Sequence, residues 1–257
     1  MKLPENASYH FSIDDSLNAL IEVTDRNIPL IKHPYFRYLH ELHKKYKINF
    51  SLYLFYKSQQ KGKWRDLTQV RNIRKEIVDE KGDMWLKFGP HALDTDTPPH
   101  SQSPSDQKET FELIYNEIDR FAGKRAHARF VRLHYYSESY ELVEYFRSKG
   151  VEALFSTDRE IRSYRMPGEV GERLKNAGHA VYKKMHFIRT QFRVEFFKDQ
   201  KLKKKDIKML FQKSLKKYGY VIFYTHEYEL VKSDFKKMLN RNLASLEELG
   251  VKHIRSI

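Results

Sequence analysis

Tyr9-His10-Phe11-Ser12-Ile13-Asp14-Asp15 carries five residues rich in aromatic and branched side chains straight into two adjacent carboxylates. A run this short and this apolar reads as a strand. A carboxylate pair at its carboxyl end reads either as a helix cap or as the edge of a site. Recurrence of the pattern decides the fold. Phe50 to Phe55, Met84 to Phe88, Phe130 to Leu133, Ala153 to Phe155, Phe192 to Phe197 and Val221 to Tyr224 are further runs of the same kind. Between them, Tyr35 to Tyr46, Leu67 to Asp79, Asp106 to Phe121, Tyr140 to Lys149, Lys203 to Lys217 and Asp234 to Leu249 carry apolar residues near helical spacing. Ser105 or Asp106 would cap the third of these, and Gly150 and Gly250 would stop the fourth and the last. Strand followed by helix, repeated along the chain, predicts an α/β fold: a (β/α) barrel of about seven parallel strands in a single domain over residues 1–257. Two stretches break the rhythm: a Pro- and Ser-rich loop at His91 to Pro104 and an irregular insertion near 158–184 with Pro167, Gly168, Gly171 and Gly178.

The composition narrows the chemistry. With 40% hydrophobic residues, 17 Tyr and 17 Phe, the 257-residue chain has ample apolar surface for a core without staples. It has no Cys, so thiolate metal sites, disulfides and a cysteine nucleophile are excluded, and any metal must be held by His and carboxylates. The net charge of +14 favours an anionic partner of some kind. Part of it lies in Asp199 to Lys217, whose Leu202, Ile207, Leu210, Phe211 and Leu215 make it an amphipathic helix with a solvated basic face rather than a dedicated nucleic-acid site. No helix-turn-helix, RNA-recognition or zinc-finger pattern accompanies it, so nucleic-acid binding ranks last. The first residues, Met1 to Asn6, contain no continuous apolar run, and nothing approaches the roughly 20 apolar residues of a membrane span. A cytoplasmic protein without a membrane partner is the expectation.

In a parallel barrel the reactive groups gather where strands end. After the first strand stand Asp14 and Asp15; after the third, Gly89-Pro90-His91; at the fourth, Arg132-Leu133-His134-Tyr135; after the fifth, Thr157-Asp158; after the last, Thr225-His226-Glu227. Aspartate, glutamate and histidine are the types that hold a hard or borderline divalent ion and move protons.

Phe11-Ser12-Ile13-Asp14-Asp15 resembles the first motif of the NodB-type polysaccharide deacetylases, Phe88-Gly89-Pro90-His91 the start of the second, Arg132 to Tyr135 the third and Val221 to His226 the last. The resemblance spans nearly the whole chain. It implies a NodB-type irregular barrel and a metal-dependent hydrolase removing an N- or O-linked acetyl group from a carbohydrate. By that resemblance Asp14 is the general base, Asp15 and His91 are metal ligands, Arg132 orients the base and His226 is the general acid. The implied cofactor is a divalent ion, zinc first, with cobalt, nickel or manganese as alternatives.

The chain departs from the family where a second histidine normally stands four residues after the first. That position is Thr95, preceded by Asp94. The third motif normally has Pro where this chain has His134, an imidazole that restores an Asp/His/His set if it points at the other two; otherwise it is a core histidine and the third ligand is Asp94 or water. Tyr135, Asp158 and Glu227 are candidate substrate contacts, although Asp158 beside Arg159 also suits an ion pair and Glu227 also suits a role orienting His226 or a helix start. Loss of the usual ligand at Thr95 keeps open an alternative, a non-catalytic carbohydrate-binding protein of the same fold.

Overall fold

A computed structural model describes residues 3–137, 140–157 and 167–254. Side-chain alternation along the first strand, β1 (Ser8–Ser16), sorts the interior into two parts. Tyr9, Phe11 and Ile13 join the large apolar layer between strands and helices, whereas His10, Ser12 and Asp14, also buried, occupy the other face. The second face meets a smaller cluster that includes Tyr53, Phe130, Phe155 and Ile222. Burial on both faces is what a parallel strand covered by crossover helices requires.

The order continues with α1 (Asn18–Asp25), α2 (Pro34–Tyr46), β2 (Phe50–Phe55) and an antiparallel hairpin of β3 (Lys57–Gln60) and β4 (Lys63–Asp66). Next come β5 (Leu86–Ala92), α3 (Pro104–Phe121), β6 (Phe130–Val131), α4 (Val143–Ser148) and β7 (Ala153–Ser156). The chain then forms α5 (Gly168–Ala177), β8 (His179–Tyr182), β9 (Met185–Arg189), β10 (Phe192–Arg193), α6 (Val194–Asp199) and α7 (Lys204–Tyr218). It ends with β11 (Tyr220–His226), α8 (Ser233–Glu248) and β12 (Lys252–His253).

These strands make an α/β fold of two parallel-strand sheets. One runs β10-β11-β1-β2-β5, with β12 beside the start of β1; the other runs β6-β7-β9-β8, where only β8 is antiparallel to its neighbour. A single parallel bridge between Phe88 and His127, with Ala128 donating to the Phe88 carbonyl at 2.8 Å, carries β5 towards β6. On the far side, Thr190 N donates to Ser156 O at 2.8 Å and the next residue, Gln191, donates to Ile222 O at 3.0 Å. The chain therefore runs directly from β9, beside β7, into β10, beside β11.

Several elements differ from the sequence reading. Leu67 to Asp79 is helical only at Leu67–Gln69; Leu67, Val70, Ile73 and Ile77 are buried at helix-like spacing, but the backbone bonds elsewhere. Arg120 donates to the Leu67 and Val70 carbonyls at 2.7 and 2.8 Å, and Ile73 N donates to Phe121 O at 2.8 Å. Tertiary partners thus replace the helical ladder. The strand expected over Phe192 to Phe197 lasts two residues before α6 begins, and that over Phe130 to Leu133 ends at Val131. The third strand starts later and runs to Ala92, so His91 lies within it. Of the insertion near 158–184, residues 158–166 lie outside the described residues, and the remainder is regular: α5 leading into β8.

Gly89 shows how closely the two sheets approach at the site. A Cβ built there would meet Val131 Cγ2 at 3.1 Å and Tyr53 Cδ1 at 3.3 Å. Gly89→Ala should therefore overpack the interior and lower unfolding free energy by about 1–3 kcal/mol in denaturant titrations. A loss under about 0.5 kcal/mol would show that this approach has slack.

Candidate functional site

Two adjacent strand residues normally face opposite ways. Asp14 and Asp15 both reach the same region because β1 breaks its alternation: Asp15 takes φ 56°, and the pairing with β2 shifts between Ile13 and Ser16. The bulge re-aims a carboxylate.

Asp15 Oδ1 lies 3.2 Å from His91 Nε2 and 3.8 Å from His134 Nδ1, and the two imidazole nitrogens are 3.2 Å apart. The outer nitrogens are committed elsewhere. His91 Nδ1 is 2.8 Å from the Arg132 carbonyl, and His134 Nε2 is 3.3 Å from the Thr95 carbonyl. A carbonyl only accepts, so each of these nitrogens carries the proton in the neutral ring, leaving a lone pair on the inward one. Burial and the neighbouring His91 push His134 down to about 4, which keeps it neutral. Burial pushes the Asp15 carboxyl up, but His91 and the other imidazoles, in their protonated forms, outweigh it and hold the group below its ordinary value and ionised. Three lone-pair atoms converge on one point, and Asp15 Oδ1 is buried without a hydrogen-bond donor. Such a set fits a cation: a tetrahedral ion with ligands at about 2.1 Å separates them by about 3.4 Å. Among the described residues Asp15, His91 and His134 are the group with this geometry. Asp94 is turned to other partners, accepting from Asp96 N at 3.0 Å with Lys57 Nζ at 3.5 Å.

Asp14, 2% exposed, stands beside this triangle. Its Oδ1 accepts from Arg132 Nη1 at 3.1 Å, and the same nitrogen is 2.7 Å from Ser12 Oγ. The guanidinium lies 4.1 Å from the Tyr224 ring centroid, a cation–π contact made stronger by desolvation. Burial pushes the Asp14 carboxyl above the usual carboxylate range, and Arg132 opposes that rise without cancelling it. Desolvation is the larger influence on Asp14.

On β11, His226 sits in register with Asp14. Its Nδ1 is 2.7 Å from Glu195 Oε1, and Tyr228 stacks on its ring at 5.1 Å. Burial lowers the imidazole, but Glu195, Asp14 and Asp15 together raise it above its ordinary value. Glu195 went unread in the sequence because Phe192 to Phe197 looked like a strand; the early start of α6 places it in a first helical turn, next to His226.

Tyr135 is exposed, packs on His134 with ring centroids 4.2 Å apart, and with Tyr136 adopts the left-handed region at φ 54° and 55°. Two consecutive tyrosines there store strain at the rim. Tyr136 and Tyr224 join by their hydroxyls at 2.7 Å. These groups and Arg193 line a cleft of about 110 Å³ above Asp14, His91 and His226. Glu227 departs from its expected role as a substrate contact or partner of His226: its carboxylate accepts from Leu17 N at 3.2 Å and Ala19 N at 2.9 Å, capping the start of α1. Burial pushes it up to about 8 against those amides. Asp158 lies outside the described residues.

A peptidoglycan N-acetylglucosamine deacetylase (Bc1960) superposes with a TM-score of 0.52 at 10% identity, over 98% of this chain and 87% of that one. The chitin deacetylase of Colletotrichum lindemuthianum gives 0.51 at 10% identity, over 99% and 87%. The chain has the NodB-type fold of the polysaccharide deacetylases. A 4-alpha-glucanotransferase of Thermococcus litoralis gives 0.55 at 13% identity over 96% of this chain and 37% of that one, so the fold also carries other carbohydrate chemistry. No family model matches the sequence, and no curated protein matches it. No helix among the described residues is long and apolar enough to cross a membrane.

Glu195→Gln removes the charge that raises His226. In metal-free protein followed by NMR, His226 should titrate at lower pH in this variant than in the parent. The linked stability has a definite sign: a raised imidazole stabilises fully below its ordinary value of about 6.5 and loses that contribution as pH rises through the raised one. The difference in stability between parent and variant should therefore shrink as pH rises past that range; a difference that grows would contradict the pairing.

Proposed function

We propose that the protein is a metal-dependent hydrolase that removes an acetyl group, N- or O-linked, from a carbohydrate. The convergence of Asp15 Oδ1, His91 Nε2 and His134 Nδ1 between a buried Asp14 and a Glu195-paired His226 carries this reading. Asp15, His91 and His134 would hold a divalent ion, zinc first, with cobalt, nickel or manganese as alternatives. Such an ion supplies Lewis acidity towards an acyl oxygen and makes water easier to deprotonate.

The chain's own residues supply the rest. Asp14 is placed to take the proton of an attacking water, and Arg132 holds it in place through Nη1. His226, whose imidazole Glu195 raises above its ordinary value, is placed to give a proton to the departing amine or alkoxide. The cleft admits an acyl group beside these side chains, with Tyr135 and Tyr228 exposed at the rim as apolar faces for a sugar ring. Acetylated polysaccharides are the substrate class that the peptidoglycan and chitin enzymes of this fold make the first to test. The opposing reading, a carbohydrate-binding protein without chemistry, rests on Thr95 in place of a histidine; His134 beside Asp15 and His91 weighs against it.

Acetate release from acetylated amino sugars and from O-acetyl esters, with metal content measured on the same samples, tests the proposal. Asp15→Ala, His91→Ala or His134→Ala should each lose both metal and turnover. Asp14→Asn should keep the metal and lose turnover by about 10²–10⁴-fold. Thr95→Ala should be nearly silent, since only its main-chain carbonyl is used. Glycan binding that survives chelation, with no acetate released from any substrate, would select the non-catalytic protein.

A further inference from the structure

His10 lies on the same face of β1 as Ser12 and Asp14, but near the opposite end of the strand, about 13 Å before Asp14 at the usual rise per residue. It is 1% exposed, and neither ring nitrogen has a hydrogen-bond partner. A neutral imidazole has one donor and one acceptor, and leaving both unmet costs about 1–3 kcal/mol for each group. A phenylalanine would fill the same space, among Phe130 and Phe155, without that cost. Burial drives the ring well below its ordinary value, so it is neutral.

The polar ring borders a cleft of about 230 Å³ formed where β2, β5, β6 and β12 begin. Asn49, whose buried Oδ1 also lacks a donor, lines it together with Lys87, Arg125 and Arg129. Three cations and one carboxylate, Asp83, share this small space. Lys87 Nζ donates to the Arg125 carbonyl at 2.5 Å, Arg125 Nη2 to the Gly82 carbonyl at 3.2 Å, and Arg129 pairs with Glu152. The first two bonds are to carbonyls, which fix the charged groups, and Asp83 offsets part of the positive charge at Lys87. Burial and then the two arginines lower Lys87, as expected where positive charge is crowded.

We propose that this cleft, at the amino-terminal end of the parallel strands, is a second ligand site that takes a phosphate-bearing small molecule, with Lys87, Arg125 and Arg129 meeting the phosphate charge and His10 donating to a phosphate oxygen. A doubly charged phosphate answers several cations at once, where a carboxylate carries one charge. The site is separate from the Asp15, His91 and His134 cluster and stands or falls independently of the hydrolase reading. It also gives part of the strong net positive charge a local use.

Isothermal titration calorimetry of the full chain with inorganic phosphate, at constant ionic strength and with acetate for comparison, tests it. The expected result is saturable binding of phosphate, weaker binding of acetate, and retention of phosphate binding in Asp15→Ala. Lys87→Met and Arg125→Met should each weaken it at least about tenfold, a loss of about 1.4 kcal/mol. His10→Phe should weaken phosphate binding while raising the thermal midpoint, a pairing that a mere packing role would not give. If His10→Phe fails to fold, the Lys87 and Arg125 variants decide. Absence of saturable binding, equal affinity for acetate, or binding lost in Asp15→Ala but kept in Lys87→Met and Arg125→Met would overturn the proposal.

Discussion

A buried arginine must be paired or leave the interior, and Arg132, 1% exposed, is paired through its two terminal nitrogens and its face, while its buried Nε has no hydrogen-bond partner. Its Nη1 reaches Asp14 and Ser12, and its face covers Tyr224. Its own main-chain carbonyl accepts from His91 Nδ1. One residue thus fixes the carboxylate placed to move protons and also the tautomer of an imidazole in the neighbouring cluster. Removing the charge would leave Asp14 buried without its cation, an expensive state. Shifting the backbone would turn His91 Nε2 away from Asp15. The two halves of the site are therefore mechanically one object.

A second constraint comes from geometry along β1. A strand presents alternate residues to one face, yet the site uses neighbours. The left-handed turn at Asp15 resolves the conflict, and the left-handed Tyr135 and Tyr136 similarly bend the chain after His134. Strain of about 1–3 kcal/mol at each such position persists only where surrounding contacts over-determine the backbone. Here the parallel ladder between β1 and β11 and the hydroxyl pair of Tyr136 and Tyr224 provide those contacts.

Much of this was legible in the residues. Aromatic and branched runs gave most of the parallel strands, because strands buried on both faces need continuous apolar character, while β9 and the two-residue β12 lay in none of those runs. The strand ends pointed to Asp14, Asp15, His91, Arg132, His134 and His226, which the fold brings together. Glu195 was invisible for a physical reason: its alternating neighbours suit strand or helix equally, and its partner lies 31 positions away. Glu227 looked like a site residue because it follows His226, but its environment is set by the amides of α1, far away in sequence. Leu67 to Asp79 kept helical spacing of buried residues while its carbonyls went to Arg120, an exchange that no local pattern encodes. His134 reaches Asp15 and His91 from the turn after β6, far from His91 in sequence, so spacing along the chain alone could not distinguish a site residue from a core residue.

The central claim is that three lone pairs, on Asp15, His91 and His134, are arranged for one ion. Anomalous diffraction from a crystal soaked in zinc measures this directly. The account predicts a single strong peak within about 2.0–2.2 Å of Asp15 Oδ1, His91 Nε2 and His134 Nδ1, with Asp94 and the Thr95 side chain outside the ligand set. A peak held by Asp94 in place of His134, or no peak at this position at saturating zinc, would contradict it.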